Sequence, residues 1–189
     1  MKLLVLYVSF SLDLKKLKNN LKNIKNFLKK KSLKNYDIYS VNNNPKILLN
    51  EKLKKDEKIF SRNNSYFDFG AWNFLFQKKK KNINRYDWVL LTNDTFDKDY
   101  SYHLKLFNKE MLSNMSGQKV ALGHLDAYSN KDGFKKVSLH KKKSSYWLRS
   151  SFLLIDAKFF SKINSLIFFK KKKIFINNTT KINKNNIKI

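Results

Sequence analysis

The sequence predicts an α/β fold, a three-layer sandwich in which a mainly parallel sheet lies between two layers of helices. Short apolar runs alternate along the chain with longer stretches in which apolar residues recur at helical spacing. One of these runs, Trp88–Leu91, has no polar alternation. Such a run is typical of a strand that is buried on both faces of a parallel sheet.

The composition is that of one folded domain, predicted at 1–176, with a polar C-terminal tail at 177–189. The chain has 189 residues, of which 42% are hydrophobic and 15% aromatic, so it is too apolar to be disordered. It has no cysteine, which excludes disulfides and thiolate metal sites. Its three histidines are too scattered to form a metal motif.

The formal net charge is +27, and nearly all of the excess is lysine. Proteins that recognise specific bases or phosphates generally use arginine forks, so we expect no specific nucleic-acid partner. A basic nucleic-acid-binding protein remains an alternative, and the charge also favours peripheral contact with an anionic membrane.

The first twelve residues, MKLLVLYVSFSL, are not followed by a small-residue cleavage site. No segment of the chain approaches the about 18 apolar residues that a membrane span needs. We therefore interpret this stretch as a first strand and expect a cytoplasmic protein, with peripheral attachment to the inner face of the membrane as an option.

The first helix is the clearest helical pattern in the chain, with five apolar residues at helical spacing, which are Leu14, Leu17, Leu21, Ile24 and Leu28. Either Ser11 or Asp13 can cap it. The pattern suits a membrane-binding helix too, but the preceding strand needs a cover, which favours a helix packed on the sheet.

The other elements follow from the same patterns and from the turn residues between them. We predict that strands at 3–9, 36–41, 58–62, 86–92 and 119–124 share one sheet. A further strand is predicted at 145–155, a polar loop at 127–144, and helices at 46–57, from Phe69 to the lysine run 78–81, at 103–115 and at 157–169. Trp72, Trp88 and the methionines of 103–115 are expected in the core.

Three carboxylates, Asp68, Asp94 and Asp126, fall at strand ends or at turns from a strand to a helix. Open α/β sheets bind their ligands in the crevice outside the carboxyl ends of the strands. Carboxylates that meet there repel one another unless a cation lies between them, and Mg²⁺ combines one or two carboxylates with phosphate oxygens. Alternatively, Asp94 is only a turn residue, because Asn-Asp-Thr is good turn chemistry.

The sequence has no glycine-rich phosphate loop and no nucleophile elbow. These absences argue against Rossmann dehydrogenases, P-loop NTPases and α/β-hydrolases. Nucleotide binding through acidic residues and a divalent metal remains, which is typical of sugar-nucleotide transferases.

Residues 64–72 read NSYFDFGAW and residues 86–96 read YDWVLLTNDTF. These two blocks resemble the rhamnan synthesis F family, glycosyltransferase-like proteins of bacterial surface-polysaccharide clusters. The family has Asn-x-Gly-Tyr/Phe-Asp-Phe-Gly-Ala-Trp/Tyr and then Tyr-Asp-x-x-x-Leu-x-Asn-Asp-Ser. Two weaker blocks, GHLD at 123–126 and WLRSSFL at 147–153, follow in the family's order, so the resemblance covers about residues 58–160.

The chain departs from the family pattern at three positions. Tyr66 replaces the family's glycine, and Trp147 and Arg149 replace its histidine and glutamine. These departures favour an alternative function, a catalytically degenerate transferase fold that acts as a scaffold in polysaccharide assembly.

The resemblance implies a glycosyltransferase A-type fold, similar to nucleotide-diphospho-sugar transferases. The implied activity moves a sugar from a nucleotide-sugar donor to a growing surface polysaccharide or lipid-linked glycan, with Mg²⁺ or Mn²⁺ as the cofactor.

The resemblance also implies roles for individual residues. Asp94 would hold the metal, and Asp68 would bond the base or ribose of the donor. Asp126 is the candidate general base, unless it only caps the following turn. Gly70 would let the start of its helix pack close to the ligand. The full set of implied substrate-binding residues is Asn64, Asp68, Gly70, Asn93 and Thr95.

Overall fold

The computed structural model describes residues 1–46, 59–96, 107–127, 137–139, 142–144 and 146–166. The strands are β1 (Leu3–Ser9), β2 (Tyr36–Asn42), β3 (Ile59–Ser61), β4 (Trp88–Asn93), β5 (Ala121–Ala127), β6 (Val137–Leu139), β7 (Lys142–Ser144) and β8 (Tyr146–Asp156). The helices are α1 (Leu14–Lys30), α2 (Phe67–Lys79), α3 (Lys109–Met115) and α4 (Ala157–Phe160), and a 3-10 helix, Lys80–Arg85, follows α2.

Within these residues, six strands form one sheet in the order β3-β2-β1-β4-β8-β5. The strands β3, β2, β1 and β4 are parallel, whereas β8 is antiparallel to both of its neighbours, β4 and β5. The prediction that five strands share one mainly parallel sheet is therefore confirmed. The second sheet is the hairpin β6-β7.

The central strand β1 is buried along its whole length, and its side chains alternate between two hydrophobic clusters. Leu3, Val5 and Tyr7 pack with α1 and α3, whereas Leu4 and Leu6 pack with α2. Two buried faces explain why the sequence of β1 has no polar alternation. The result is a sheet between two layers of helices, as predicted.

Helix α1 shows how the sequence determines one of these layers. Asp13 is its N-cap, and the Asp13 side chain accepts a hydrogen bond of 2.7 Å from the backbone N–H of Lys15. Four of the five apolar side chains at helical spacing are buried against the sheet, and the fifth, Leu14, is partly buried. Lys29 and Lys30 in the last turn suit the helix dipole. The apolar face of α1 therefore covers the sheet.

Trp72 and Trp88 lie in the core, as predicted, and both tie a helix to the sheet. Trp72 Nε1 donates to the carbonyl oxygen of Thr92 on β4 at 3.3 Å, which links α2 to that strand. Trp88 Nε1 donates to the carbonyl oxygen of Leu112 at 3.1 Å, which links β4 to α3. Each indole buries its ring and still satisfies its polar atom.

Several predicted elements differ from the structure. Helix α2 begins at Phe67 rather than Phe69, and its N-cap, Tyr66, adopts a left-handed conformation. The segment 127–144, predicted as a loop, contains the hairpin β6-β7.

The last helix, predicted at 157–169, ends at Phe160 and gives way to turns and bends up to 166. There the Ser165 hydroxyl and the Leu166 N–H both donate to Asn73 Oδ1 of α2, so this segment follows α2 instead of continuing as a helix.

Several predictions lie partly or wholly outside the described residues, namely the helix at 46–57, residues 103–106 of the helix at 103–115, and the C-terminal tail. Residues 107–108 are described and are not helical, because α3 begins at Lys109 with Asn108 as its N-cap. In the described part of the chain, no helix has the length and apolar character needed to cross a membrane.

Candidate functional site

The order of the strands creates a switch point between β1 and β4. From β1 the chain moves to β2 and β3 on one side, and it then returns to β4 on the other side of β1. In open α/β sheets the ligand crevice lies outside the carboxyl ends of the strands at such a point. The residues that follow β1, β2 and β4 therefore form the candidate site.

Asp94 follows β4 and joins the two loops at the switch point. Its Oδ2 accepts a hydrogen bond of 3.0 Å from the backbone N–H of Phe10, which follows β1. A hydrogen bond to a carboxylate is stronger than one between neutral groups, so it fixes the position of the carboxylate.

Asp68 reaches the same place from the first turn of α2. Its Oδ2 accepts a hydrogen bond of 2.7 Å from Nδ2 of Asn93, the buried last residue of β4. Burial raises the pKa of Asp68, the hydrogen bond from Asn93 lowers it, and the negative charge of Asp94 raises it, with burial the largest effect. The structure thus brings Asp68, Asn93 and Asp94 together at the carboxyl edge of the sheet.

Asn93, rather than Asp94, makes the turn after β4. Asn93 Oδ1 accepts hydrogen bonds from the Thr95 N–H at 3.1 Å and from the Thr95 hydroxyl at 2.6 Å, as in an Asx turn. Asn93 and Thr95 therefore hold one another in place. The Asp94 carboxylate does not take part in this turn, so it is available for another role.

Gly70 packs closely against the turn that precedes its own helix. A Cβ atom added to Gly70 would lie 2.1 Å from the carbonyl oxygen of Ser65 and 2.9 Å from Arg62 Nη1. The close approach is therefore between α2 and the turn that precedes it. Asn64 belongs to the same turn, where its carbonyl oxygen accepts a hydrogen bond of 3.3 Å from the Phe67 N–H.

Tyr66 and Phe67 adopt φ angles of 61° and 49°, which L-residues other than glycine rarely do. Tyr66 stands where the family pattern has glycine, a residue that adopts this conformation without strain. The turn into α2 thus has a backbone that suits glycine, although this chain has tyrosine there.

Asp126 lies within β5, which continues to Ala127, so the prediction that the strand ends before Asp126 is wrong. Its backbone is paired with Trp147 of β8, and its side chain lies outside the described residues. β5 runs in the direction of β4 and is separated from it by one strand, a distance of about 10 Å. Asp126 is thus at the same edge of the sheet as Asp94.

Polar residues at the end of β2 and just after it hold the neighbouring loops, although no motif predicts them. Asn42 is buried and holds the loop after β1, because its Oδ1 accepts from the Ser11 N–H at 3.0 Å and its Nδ2 donates to the Ser11 carbonyl at 3.1 Å. Asn43 Nδ2 donates to the Phe67 carbonyl at 3.1 Å. The run Asn42–Asn44, which follows the predicted strand 36–41, is the signal in the sequence for these contacts.

Two buried polar atoms near the switch point have no hydrogen-bond partner in the described part of the chain. They are the Ser9 hydroxyl oxygen at the end of β1 and Asn43 Oδ1 just after β2. Buried polar groups are nearly always paired, so each exception calls for an explanation. Ser40, Arg62 and Ser151 each carry such an atom as well, so the feature is not confined to the ends of β1 and β2.

The carboxylate pair fits one kind of metal site. Among the described residues, no three His, Cys, Asp or Glu side chains are grouped to hold an ion, which excludes a closed protein cage in that region. Asp68 and Asp94 each keep one oxygen, Oδ1, for which no hydrogen bond is found among those residues. Two such oxygens suit a hard divalent ion that takes its remaining ligands from phosphate and water.

Comparison with known proteins adds no family to this description. No protein-family model matches the sequence, and no curated protein matches it. The function is therefore a proposal from the geometry of the carboxyl edge and from the motifs that lie there.

Proposed function

We propose that the protein is a glycosyltransferase that moves a sugar from a nucleotide-diphospho-sugar to a growing surface polysaccharide or lipid-linked glycan. The observation that carries this proposal is the meeting of Asp68 and Asp94 at the switch point of the sheet, one held by Asn93 and the other by the backbone of Phe10.

The fold supports the same proposal. A six-stranded, mostly parallel sheet between helices, with one antiparallel strand inserted beside β4, is compatible with the glycosyltransferase A-type fold. The two motif blocks that resemble the rhamnan synthesis F family supply Asp68 and Asp94. These two residues are distant in sequence but adjacent in space.

In this proposal each carboxylate has a distinct task. Asp94 holds a divalent ion, which neutralises the diphosphate leaving group when it is bound. Asp68 accepts a hydrogen bond from the ribose or the base, and such a donor compensates the burial that disfavours its ionised form. Asn93 positions Asp68 through its amide N–H.

Asp126 is the proposed general base, in accordance with its place at the same edge of the sheet. It accepts the proton of the acceptor hydroxyl as that oxygen bonds to the anomeric carbon. The bond from the sugar to the diphosphate breaks, and the nucleoside diphosphate leaves with the electron pair.

A scaffold without catalytic activity is the second candidate. The observation that favours it is the turn into α2, where Tyr66 occupies a left-handed conformation in place of the family's glycine.

Donor hydrolysis separates the two candidates. The protein is incubated with Mn²⁺ and nucleotide-diphospho-sugars of uridine, guanosine and thymidine, and the released nucleoside diphosphate is measured. We expect slow release from at least one donor, which stops with a chelator and in Asp94→Asn. The control Asp13→Asn removes the same charge at an exposed helix cap, where asparagine serves equally well, so release should persist.

The outcomes decide between the proposals. Nucleotide binding without release from any donor supports the scaffold. The absence of both binding and release overturns the transferase proposal and favours the scaffold.

A further inference from the structure

The described part of the chain exposes five large hydrophobic side chains, and four of them lie at one edge of the sheet. Phe10 (52% exposed) and Leu12 (72%) follow β1, and Tyr66 (58%) and Phe67 (56%) lead from β3 into α2. We call these four residues the apolar rim. The fifth, Phe159 (36%), lies in α4 after the antiparallel strand β8, and therefore at the opposite edge.

The structure holds the rim in its exposed position. The backbone N–H of Phe10 is bonded to Asp94 Oδ2, and the Phe67 carbonyl accepts from Asn43 Nδ2. Tyr66 and Phe67 keep positive φ angles, a strained conformation that persists where the surrounding structure fixes it and that often marks a functional site. The rim is thus a fixed feature of the carboxyl edge.

Positive charge accompanies the rim. The two ion pairs in the described part of the chain, between the N-terminal amine and Asp87 and between Lys2 and Asp37, both lie at the opposite edge. Near the rim, Lys15, Lys16 and Lys46 are exposed and have no ion-pair partner in that part of the chain. The carboxylates of Asp13, Asp68 and Asp94 lie at the same edge, so the attraction to an anionic surface comes from these lysines together with the net charge of +27 on the whole chain.

Exposed apolar side chains flanked by lysines are the combination that binds the interface of an anionic bilayer. The apolar side chains enter the region between headgroups and acyl chains, and the ammonium groups meet the lipid phosphates. Soluble proteins seldom expose such groups together unless the surface binds something.

We propose that the apolar rim docks the protein on an anionic lipid bilayer, with the Asp68–Asp94 crevice turned toward the headgroups. This docking goes beyond sugar transfer and does not depend on it. If the transferase proposal also holds, a lipid-linked acceptor would meet the crevice directly at the membrane surface.

Vesicle flotation tests the proposal without any nucleotide, so its failure leaves the transferase proposal untouched. The full chain is mixed with phosphatidylcholine vesicles that contain or lack about 30% phosphatidylglycerol, at about 0.1 M and about 0.5 M salt, because salt screens the lysine contribution. We expect binding only to the anionic vesicles. A fraction of this binding should persist at high salt, because salt does not screen the contribution of the apolar side chains.

Two variants locate the contact. Phe10→Ser combined with Phe67→Ser should weaken vesicle binding at least tenfold. The matched control Phe159→Ser removes an exposed ring at the opposite edge and should change binding less than twofold. Equal effects of the two changes, or complete loss of wild-type binding at high salt, would overturn the proposal in favour of charge alone. A double variant that loses nucleotide affinity but keeps vesicle binding would also overturn it, because the rings would then be stacking on a base.

A labelling experiment removes any dependence on the folding of the double variant. The chain has no cysteine, so Leu12→Cys and Phe159→Cys can each be labelled at one site with an environment-sensitive fluorophore. We expect a blue shift on anionic vesicles at position 12 and none at position 159. Equal spectra at the two positions would contradict the proposal.

Discussion

Gly70→Ala tests whether α2 really approaches the preceding turn as closely as the structure shows. The new Cβ would lie 2.1 Å from the Ser65 carbonyl oxygen, a backbone atom in a turn that the positive φ of Tyr66 already constrains. Arg62 Nη1, at 2.9 Å, belongs to a flexible side chain and can move. The conflict with the backbone atom therefore sets the cost of the substitution.

The expected magnitude follows from two opposing effects. Overpacking costs about 1–3 kcal/mol, and the upper end applies here because the obstructing atom is backbone. Alanine is a better helix former than glycine by about 1 kcal/mol, which offsets part of that cost. We expect a net loss of about 2 kcal/mol in the free energy of unfolding.

Urea unfolding followed by tryptophan fluorescence measures this difference, since Trp72 and Trp88 are buried and report on the core. The sign of the change in the free energy of unfolding shows whether the space in front of Gly70 is filled or open. If the space in front of Gly70 were open, alanine would stabilise the protein by about 1 kcal/mol through helix propensity alone. A stabilised Gly70→Ala variant would therefore refute the close approach.

Three further substitutions probe the turn, the crevice and the core. Tyr66→Gly should stabilise the protein by about 0.5–1 kcal/mol in urea unfolding, because glycine relieves the φ of 61° at that position, and an unchanged midpoint would contradict this. Asp68→Asn should stabilise the protein at pH 7. Because the folded-state pKa of Asp68 is raised above its ordinary 3.8, the folded state binds more protons than the unfolded state between the two values, and wild-type stability falls as pH rises through that window. Thermal melts between about pH 4 and pH 7 should show this fall reduced in the variant, and identical curves would argue against a buried carboxylate. Asp156→Ala should cost about 2–3 kcal/mol, because the buried carboxylate accepts hydrogen bonds from the N–H groups of Phe159 at 2.7 Å and Gly117 at 2.8 Å. At temperatures at which Asp156→Ala is folded, its nucleotide affinity should equal that of the wild type. A loss of affinity would extend the site to the opposite edge of the sheet.

The elements that the sequence predicts well are those whose local pattern and tertiary role agree. β1 and α1 are examples, because burial on both faces and burial on one stripe leave different periodicities in the sequence. The direction of β8 has no such signature. A strand with apolar residues on both faces looks the same whether its neighbours are parallel or antiparallel, and only the pairing with β4 and β5 reveals it.

In the candidate site too, some features have a local sequence pattern and others depend only on tertiary contacts. Asp68 and Asp94 could be predicted to meet, since both follow strands that end at one edge of the sheet. Gly70 signalled a close approach, but the sequence does not say what approaches, and the partner is the chain's own turn. The early start of α2 could not be predicted, because tyrosine at position 66 gives no sign of a left-handed backbone.

Asp94→Asn tests the central claim, that Asp94 holds a metal ion against the diphosphate of a nucleotide. The asparagine oxygen can still accept the hydrogen bond from the Phe10 N–H. The hydrogen bonds between Asn93 and Thr95 do not involve the side chain of residue 94, so the fold should survive. The change therefore removes the charge alone.

The measurement is titration calorimetry of nucleoside diphosphates in the presence of Mn²⁺ and of chelator, on the wild type, Asp94→Asn and the control Asp13→Asn. We expect metal-dependent binding by the wild type and the control, and an affinity at least tenfold lower in Asp94→Asn, a loss of roughly 1.4 kcal/mol. Metal-dependent binding that Asp94→Asn leaves intact would remove Asp94 from the site, and a wild type that binds no nucleotide with Mn²⁺ would contradict the transferase proposal itself.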